Sequence, residues 1–554
     1  MAGGRAGALA LKGPGQTVMQ RLGLAAIVGL ALGLRLYHIG FGLPAINDPD
    51  ELMFELGAVR MLRTGTLNPG WFGHPATTTM YLLALSNIAV YGAGRALGWF
   101  HSQREFVDAV FTSPSLLILP GRIAMAAFGA ACVWLTARLA AALFDARVAW
   151  VAALILAVSP VAVHWSQIIR SDIMATAFLL ACLLATLRHA RSGAWRDLLV
   201  AAMWLGAAIA TKWPFAVGGM AMIAVIGSQL ASRSLRIGGA AGRIAAFLGT
   251  ALATLAAISP YLLIAHETVT RNLQGEAQAR HLGATGGTLA ENIAWYVQGP
   301  MTDAVGIAGL LLAIAGLVLA ARRPQALAII VPVYAAFTLL LAAQHIVWER
   351  WIIPLLPLTA VLAGAGIAAL AQLVARGRPQ HARTACAIIA ATLVLPLGVT
   401  AIREAQARAN DTRQIASAWA AQHIPPGSTV FIEHFGFDLY SQPWRVLFPM
   451  GEAGCVDARE LLAGKVDNAA IERARAGRSN IDYGTVAKAR IDTCRADYAI
   501  LSQADRYAAE ARDFPAEDKA YRDLEGSGIT VMVIRPIKYL QNGPIIRVIR
   551  INHH

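Results

Sequence analysis

Charged residues are scarce in this chain of 554 residues. They make up 14% of the sequence, whereas hydrophobic residues make up 56%, and soluble domains usually carry about 25% charged residues. The hydrophobic residues collect in runs, several of which approach the ~17–25 residues that a helix needs to cross a bilayer. A soluble globular domain is therefore excluded, and a membrane protein with many spans is predicted.

Cysteine is also rare, with five residues in the chain. Three of them, Cys132, Cys182 and Cys386, fall in apolar runs, where a free thiol behaves as a small hydrophobic group. Cys455 and Cys494 lie in the more polar C-terminal part. We predict a disulfide between these two in an oxidising compartment, and two free thiols are the alternative.

Eleven apolar segments predict transmembrane helices. They are Met19–Gly40, Ile118–Ala142, Val148–Val163, Ile173–Leu187, Leu198–Thr211, Trp213–Leu230, Ile244–Ala265, Ala304–Ala321, Ala326–Ala343, Trp351–Leu373 and Ala385–Ile402.

The placement of basic residues predicts the orientation of these helices. If a further apolar segment, Ala76–Tyr91, does not cross, most Lys and Arg residues between spans, with Arg5 and Lys12, fall on the cytoplasmic side. We therefore predict a cytoplasmic N-terminus and an interfacial helix at Ala76–Tyr91, within a first external loop of residues 41–117. Because the net charge of +14 is spread over these loops, it predicts no binding of nucleic acid.

The C-terminal part differs in kind. Residues 403–554 contain no run of membrane length. Ile415–His423 is predicted to be helical, and four segments rich in β-branched residues predict strands. The predicted fold is a polytopic α-helical membrane domain, residues 1–402, followed by a small extracytoplasmic α/β domain. The predicted strands are Thr429–His434, Asp497–Ser502, Ile529–Arg535 and Ile545–Ile551.

The first external loop carries three acidic residues close together, Asp48, Asp50 and Glu51. One interpretation is only structural. Asp48 caps a helix, Pro49 occupies its first position, and the two other acids favour its N-terminal dipole. The alternative is that the acids take part in chemistry at the membrane surface. His74-Pro75 follows in the same loop.

Further ionisable residues fall at predicted outer ends of spans. They are Arg170 and Asp172 between two short spans, Lys212 after Thr211, and Arg350. Each cation alone could extend to the interface along its aliphatic stem. Together, the acids and cations predict one cavity at the outer leaflet. Cations suit a phosphate headgroup, and acids suit activation of a hydroxyl group.

These motifs resemble the GT-C glycosyltransferase superfamily, especially bacterial relatives of the protein O-mannosyltransferases and the lipid A aminoarabinose transferase. The resemblance covers Met19 to Ile402. It rests on Asp50-Glu51, His74-Pro75, Asp172, Thr211-Lys212 and an Arg-x-x-x-Pro-x-x-Pro motif that starts at Arg350. The chain differs from the pattern in carrying an additional acid, Asp48, and Phe54 where Tyr is frequent; the His-Pro motif also lacks a second proline.

The resemblance implies a polyprenyl-phosphate-linked sugar donor and a lipid, glycan or protein acceptor in the inner membrane of the cell. It implies Asp50 as the catalytic base, with Asp48 as the alternative, and Glu51 as the residue that orients the acceptor or the loop. Asp172 would organise Arg170 or help to bind a divalent metal ion with His74 and Asp50. The donor phosphate would contact three cations, which are Arg170, Lys212 and Arg350.

Two other functions remain open from the sequence. A transporter or flippase of lipid or polysaccharide would usually carry ionisable residues at mid-membrane depth. A non-catalytic subunit of glycan assembly would not depend on Asp50.

Overall fold

The computed structural model describes residues 14–277, 279–376, 378–433, 435–462 and 481–552. Arg5 and Lys12, which contributed to the predicted orientation, lie outside the described residues.

Helices occupy most of the chain before residue 410. The first external loop folds into three of them, α2 (Pro49–Thr64), α3 (Thr77–Ala96) and α4 (Gln103–Thr112). The remaining helices of this part are α1 (Pro14–Leu36), α5 (Ser115–Leu143), α6 (Ala146–Val158), α7 (Pro160–Trp165), α8 (Ser171–Ser192), α9 (Trp195–Thr211), α10 (Met220–Ala231), α11 (Ile237–Ile258), α12 (Tyr261–Ile264), α13 (His266–Glu276), α14 (Leu289–Tyr296), α15 (Thr302–Ala321), α16 (Pro324–Ala342), α17 (Leu356–Val374) and α18 (Pro379–Ala409).

The predicted polytopic membrane architecture is confirmed. Within the described ranges, eight helical segments are long and apolar enough to cross a membrane. The other three predicted spans coincide with α1, α6 and α9, of which α6 has 13 residues and α9 has 17. The segment predicted as an interfacial helix forms α3, which is not among the eight. The eight segments are Ser115–Leu143, Ser171–Ser192, Trp213–Ala231, Ile237–Ile258, Leu289–Ala321, Pro324–Ala342, Leu356–Val374 and Gln380–Ala409.

Three predicted spans have wrong boundaries next to proline. The segment Ile244–Ala265 is divided at Ser259-Pro260, between α11 and α12. The segment Val148–Val163 is divided at Ser159-Pro160, where α6 ends and α7 begins. Proline has no N–H to continue the hydrogen-bond ladder of α6, but it fits the first position of a new helix. The span predicted from Trp351 begins only at Leu356. Residues Glu349–Ile352 form a separate 3-10 helix.

Helices α15 and α17 approach each other through glycine. A side chain at Gly316 would overlap the backbone carbonyl of Leu362, and a side chain at Gly366 would overlap that of Leu312. The contact is therefore reciprocal. Each helix places a glycine against the main chain of the other, as is common where membrane helices pack closely.

The described C-terminal residues form one mixed sheet. Its order is β3-β2-β1-β4-β6-β5, with β1 parallel to β2 and to β4 and the other pairs antiparallel. Helix α19 covers one face, whereas α21 and α22 cover the other. The elements are α19 (Thr412–His423), β1 (Thr429–Ile432), β2 (Arg445–Pro449), β3 (Cys455–Asp457), α20 (Ala458–Leu462), β4 (Tyr498–Leu501), α21 (Ala504–Ala509), α22 (Pro515–Gly526), β5 (Gly528–Ile534) and β6 (Ile546–Ile551).

The alternation of side chains explains why these segments form strands. Val430 and Ile432 face α19, whereas Phe431 between them faces α22. The four strands predicted from the sequence are present, but β2 and β3 were missed. A disulfide joins Cys455 at the start of β3 to Cys494, and their Cα atoms are 4.9 Å apart.

Candidate active site

The acidic loop begins helix α2 in the way its sequence predicts. Asp48 is the N-cap, and its side chain accepts a hydrogen bond of 3.0 Å from the backbone N–H of Asp50. Pro49 occupies the first helical position. Asp50 and Glu51 lie in the same first turn but point in different directions. The Asp50 side chain is 39% exposed and that of Glu51 is fully buried.

Arg170 holds two of these carboxylates together. Its Nη2 lies 2.8 and 2.9 Å from the two carboxylate oxygens of Asp48, and its Nη1 pairs with Asp50. Asp48 therefore serves both as the N-cap of α2 and as an ion-pair partner of Arg170. Its side chain is only 16% exposed. Of the two candidates for the base, Asp50 is therefore the more accessible.

Glu51 is bound on the side away from solvent. It forms a two-point ion pair with Arg122 of α5, with distances of 2.6 and 2.8 Å, and accepts a 3.0 Å hydrogen bond from the Ile169 N–H. Arg122 also donates to the Phe41 carbonyl at 2.7 Å. The two roles that the resemblance allowed for Glu51 can now be separated. The geometry favours orientation of the loop, since a fully buried carboxylate does not reach an acceptor.

Asp172 pairs with Lys212 and not with Arg170. Lys212 Nζ lies 2.5 Å from Asp172 Oδ1, and both side chains are at most 7% exposed. The expectation that Asp172 organises Arg170 is therefore wrong, because Arg170 is already bound by the carboxylates of the first loop. Lys212 is held at the end of α9 next to Thr211, whose hydroxyl lies 2.6 Å from that of Thr78 in α3.

His74 lies beside this ion pair but offers no metal site with it. Burial and the nearby Lys212 lower the pKa of His74 to about 3, so its ring is neutral. It packs edge-on against Trp71, with ring centroids 4.8 Å apart. Asp50 and Asp172 are each paired with a cation, and the described residues contain no group of three His, Cys, Asp or Glu side chains able to hold a metal ion.

Arg350 is held differently from Arg170 and Lys212, the two other cations of the site. Three acids, Asp48, Asp50 and Asp172, bind two cations, whereas Arg350 forms no ion pair within the described residues. Its guanidinium lies 4.6 Å from the ring centroid of Trp348, an attractive contact between a cation and a π face. The carboxylates of Asp50, Asp172 and Asp48 act on its charge from a greater distance. Because its guanidinium donates no hydrogen bond to a described side chain, it can still bind an anion.

Trp165 lies close to two of the three cations of the site. The guanidinium groups of Arg170 and Arg350 are 5.8 and 6.0 Å from its ring. Its indole N–H donates a 3.2 Å hydrogen bond to Glu349. Burial raises the pKa of Glu349 to about 7. The indole ring thus lies close to both cations, and the Glu349 carboxyl group holds its N–H edge.

An apolar pocket with a cavity volume of about 110 Å³ opens beside the Asp172–Lys212 pair. Phe215, Phe337, Leu340 and Leu341 supply its apolar walls, and Trp351 belongs to the segment that carries Arg350. The cavity therefore has one charged end and one hydrocarbon-like end. That combination matches a molecule with an anionic headgroup and an apolar chain.

The charges around Asp50 keep its carboxylate ionised. Partial burial raises the pKa of Asp50, but the guanidinium groups of Arg170 and Arg350 outweigh this effect and lower it to about 2. Glu276, at the end of α13, also belongs to this region. Desolvation and the nearby Asp50 raise the pKa of Glu276, whose carboxylate lies against Gly73.

Several of these residues were missed in the sequence. Arg122 lies within a predicted span, and a charged residue there is itself a signal of a specific partner. Trp165 and Trp348 stand close to cations in the sequence, but tryptophan is also common at membrane interfaces. Glu276 carries no local signal, since only the fold brings it near Asp50.

The chain is similar to known proteins in part of its sequence and in its fold. The sequence profile of the dolichyl-phosphate-mannose-protein mannosyltransferase family matches residues 108–264, a range that includes Arg170, Asp172 and Lys212. No curated protein matches the chain by sequence.

The chain is similar in structure to ArnT from Cupriavidus metallidurans. With the structure bound to undecaprenyl phosphate, the identity is 15% and the TM-score 0.54. With the apo structure these values are 14% and 0.56. Both alignments cover 97% of this chain and 98% of ArnT.

It is also similar to the oligosaccharyltransferase of Archaeoglobus fulgidus tethered to an acceptor peptide. The identity is 12%, the TM-score 0.51, and the alignment covers 96% of this chain and 74% of that one. These likenesses confirm the resemblance to GT-C proteins and show that this multi-pass membrane protein has a GT-C-like fold, extending through its C-terminal domain.

Proposed function

We propose that the chain is a membrane glycosyltransferase that transfers a sugar from a polyprenyl-phosphate donor to an acceptor hydroxyl at the outer face of the cell membrane. The observation that carries this proposal is Arg350, a buried cation that forms no direct ion pair with a described residue and lies near the partly exposed Asp50. ArnT, which shares this fold, was crystallised with undecaprenyl phosphate.

The geometry suggests how such a transfer proceeds. The acceptor oxygen attacks the anomeric carbon of the sugar, the bond from that carbon to the phosphate oxygen breaks, and the phosphate leaves with the bonding electrons. Arg350 stabilises the negative charge that develops on the phosphate. Lys212, held by Asp172, contributes a second cation at the mouth of the apolar pocket that receives the polyprenyl chain.

Asp50 accepts the proton of the acceptor hydroxyl. A carboxylate with a pKa of about 2 is a weak base in the field of the neighbouring cations. Binding of the donor phosphate neutralises Arg350 and so removes part of the field that lowers the pKa of Asp50. The carboxylate therefore becomes more basic once the donor is in place. Arg170 holds it toward the site, and no step passes through a metal ion.

The proposed membrane orientation places the N-terminus in the cytoplasm and the C-terminal domain outside, in the inner membrane of a bacterial cell. Acceptors of three kinds fit the proposal: a lipid, a glycan or a protein. Membrane lipids surround the apolar helices, whose outer surfaces expose residues such as Leu311, Leu339 and Leu395.

The test uses the full chain in nanodiscs with a panel of polyprenyl-phosphate sugars and with lipid, glycan and peptide acceptors. Release of polyprenyl phosphate is measured for the wild type, Asp50→Asn and Arg350→Gln. Asp523→Asn is the control, since this exposed carboxylate pairs only with Lys519 one helical turn away. We expect release by the wild type and the control, loss of release in Asp50→Asn, and weaker donor use in Arg350→Gln.

Other outcomes would change the assignment. Release that persists in Asp50→Asn would make Asp48 the better candidate for the base. Absence of both turnover and binding for every lipid-linked sugar would favour a transporter or a non-catalytic subunit of glycan assembly.

A further inference from the structure

Hydrogen bonds from the C-terminal domain hold the acidic loop at Asn47. This residue directly precedes Asp48 and is 6% exposed. Its side-chain amide and that of Gln414 in α19 exchange two hydrogen bonds, each of 2.9 Å. Arg413 adds a third, of 2.8 Å, to the Asn47 carbonyl. Three hydrogen bonds from one helical turn thus fix the residue before the helix cap.

The anchoring turn is itself fixed. Asp411 caps α19 and holds the Arg413 guanidinium through two contacts of 2.8 Å. Thr412 donates its N–H to the Asn542 carbonyl at 2.9 Å, which ties the turn to the segment before β6. The Arg413 side chain is therefore held by its own domain and not by its contact with Asn47. The contact transmits the position of the domain to the loop.

The acidic loop needs such support because its backbone is strained. Ile46, one residue before Asn47, has a φ of +56°, a conformation that β-branched residues rarely adopt. Its side chain is buried against Phe54 and Met80. A strained backbone persists only where its surroundings fix it, and the Asn47 contacts supply part of that restraint.

The C-terminal domain makes a second set of contacts with the segment between α13 and α14. We call the contacts at Asn47 the first arm and these contacts the second arm. Leu282, in the segment between α13 and α14, is buried in the core formed by α21, α22 and the sheet. Arg506 donates a 3.2 Å hydrogen bond to the Leu282 carbonyl, and Glu510 accepts one of 2.9 Å from the Gly283 N–H. Both charged residues belong to the C-terminal domain.

The same segment pairs with the chain that leads to Arg350. Ala284 accepts a 2.8 Å hydrogen bond from the Val347 N–H. The ring of His281 packs against Trp348 at a centroid distance of 4.8 Å, and Trp348 is the side chain that covers the Arg350 guanidinium. The second arm therefore ends on the unpaired cation, whereas the first ends on the carboxylates.

We propose that the C-terminal domain positions the two halves of the reacting site, with Gln414 and Arg413 setting the place of Asp50 and Arg506 and Glu510 setting that of Arg350. The proposal rests on the function proposed above for its kinetic consequences. The hydrogen-bonded connections themselves do not depend on that function, and so they can be tested separately.

The first arm is tested by Gln414→Ala and by the exchanged pair Asn47→Gln with Gln414→Asn, which restores two facing amides of the same combined length. Hydrogen exchange of residues 48–55 reports the loop without any substrate. We expect at least about tenfold faster exchange there in Gln414→Ala, unchanged exchange in the sheet, and recovery in the exchanged pair. For turnover, we expect kcat to fall about tenfold or more with the donor KM nearly unchanged, because misplacement of a reacting group by about 1 Å costs on the order of 100-fold.

The second arm is tested by Gly283→Ala. Gly283 has a φ of +74°, and an added Cβ would collide with the Arg506 guanidinium. Gly427→Ala is the matched control, since Gly427 has a φ of +83° but open space around it. We expect faster exchange at residues 345–350 and a raised donor KM in Gly283→Ala only.

The outcomes separate this proposal from the proposed function. Faster exchange at 48–55 and 345–350 in a protein that never consumes a donor would support the positioning role and overturn the function. Unchanged exchange together with wild-type kinetics would overturn the positioning role and leave the function standing. Equal loss of protection throughout the C-terminal domain would also overturn it, since the contacts would then only stabilise the fold.

Discussion

Lys212 Nζ and Asp172 Oδ1 lie 2.5 Å apart, and almost no solvent reaches either side chain. Taking two charges out of water is expensive, so removal of one partner leaves an uncompensated buried charge. This pair therefore has a structural role as well as the proposed role at the donor phosphate, and substitution can separate the two.

Asp172→Asn is expected to lower the free energy of unfolding by about 3–5 kcal/mol and to abolish turnover. Asp172→Asn combined with Lys212→Met removes both charges and is expected to regain most of the stability but none of the activity. Thermal unfolding in detergent and release of polyprenyl phosphate measure the two effects. A double variant as active as the wild type would show that Lys212 does not contact the donor.

Glu51→Gln is expected to lower the free energy of unfolding by about 3 kcal/mol or more, because Arg122 stays buried without its counter-charge. The folded fraction should still bind polyprenyl phosphate, since Glu51 faces away from the pocket. Thermal unfolding and lipid binding in nanodiscs measure these properties. Wild-type stability with lost binding would instead give Glu51 a direct place in the site.

The pH dependence of activity follows from the low pKa of Asp50. This folded-state pKa, about 2, lies below the ordinary 3.8, so the ionised form stabilises the fold above about pH 4 and this contribution is lost as the pH falls toward 2. Wild-type kcat/KM should therefore show no acid limb from Asp50 above about pH 4.

Arg170→Gln removes the strongest cation that lowers this pKa. The pKa of Asp50 is then expected to rise, because burial is less fully compensated, and an acid limb should appear at higher pH. Arg280→Gln is the control, since Arg280 is exposed and pairs with Asp513 at 3.7 Å. Identical pH profiles for the two variants would contradict the assignment of Asp50 as base.

The disulfide is expected to stabilise the C-terminal domain. It joins residues 39 positions apart, and closing a loop of that length restricts the unfolded chain by about 4 kcal/mol in the chain-entropy estimate. Cys455→Ser with Cys494→Ser should therefore increase hydrogen exchange in β2 and β3. Cys386→Ser removes a thiol that is not bridged and serves as the control. Equal exchange in both variants would show that the bridge adds no stability.

Local sequence patterns predicted much of the fold. Long apolar runs and alternating strands depend on neighbours in the chain, so α8 and β4 appear where the sequence places them. The strands β2 and β3 were missed because Arg445–Pro449 begins with a charged residue and ends with proline, and Cys455–Asp457 has only three residues. Pro160 is plain in the sequence, but it did not predict a helix boundary, because membrane helices often tolerate proline.

The sequence also selected the residues of the candidate site, but it did not predict their pairing. Arg170 and Asp172 are two positions apart, which suggested that they interact. In the folded chain they begin α8 on different sides, and each finds a partner from another element. Which carboxylate pairs with which cation depends on the distances between helices, and a local sequence pattern does not contain those distances.

The reciprocal glycine contact between α15 and α17 has a consequence for substrate access. Two helices whose main chains touch cannot slide or part without losing that fit, so they behave as one rigid wall. Arg350 lies just before α17 and is thereby fixed in place. For the lipid-linked donor proposed above, we therefore expect entry from the bilayer through the seam beside α16 and the 3-10 helix Trp213–Gly219, where phenylalanine and leucine side chains border the pocket. Sealing that seam would exclude the donor while leaving every charged residue of the site in position.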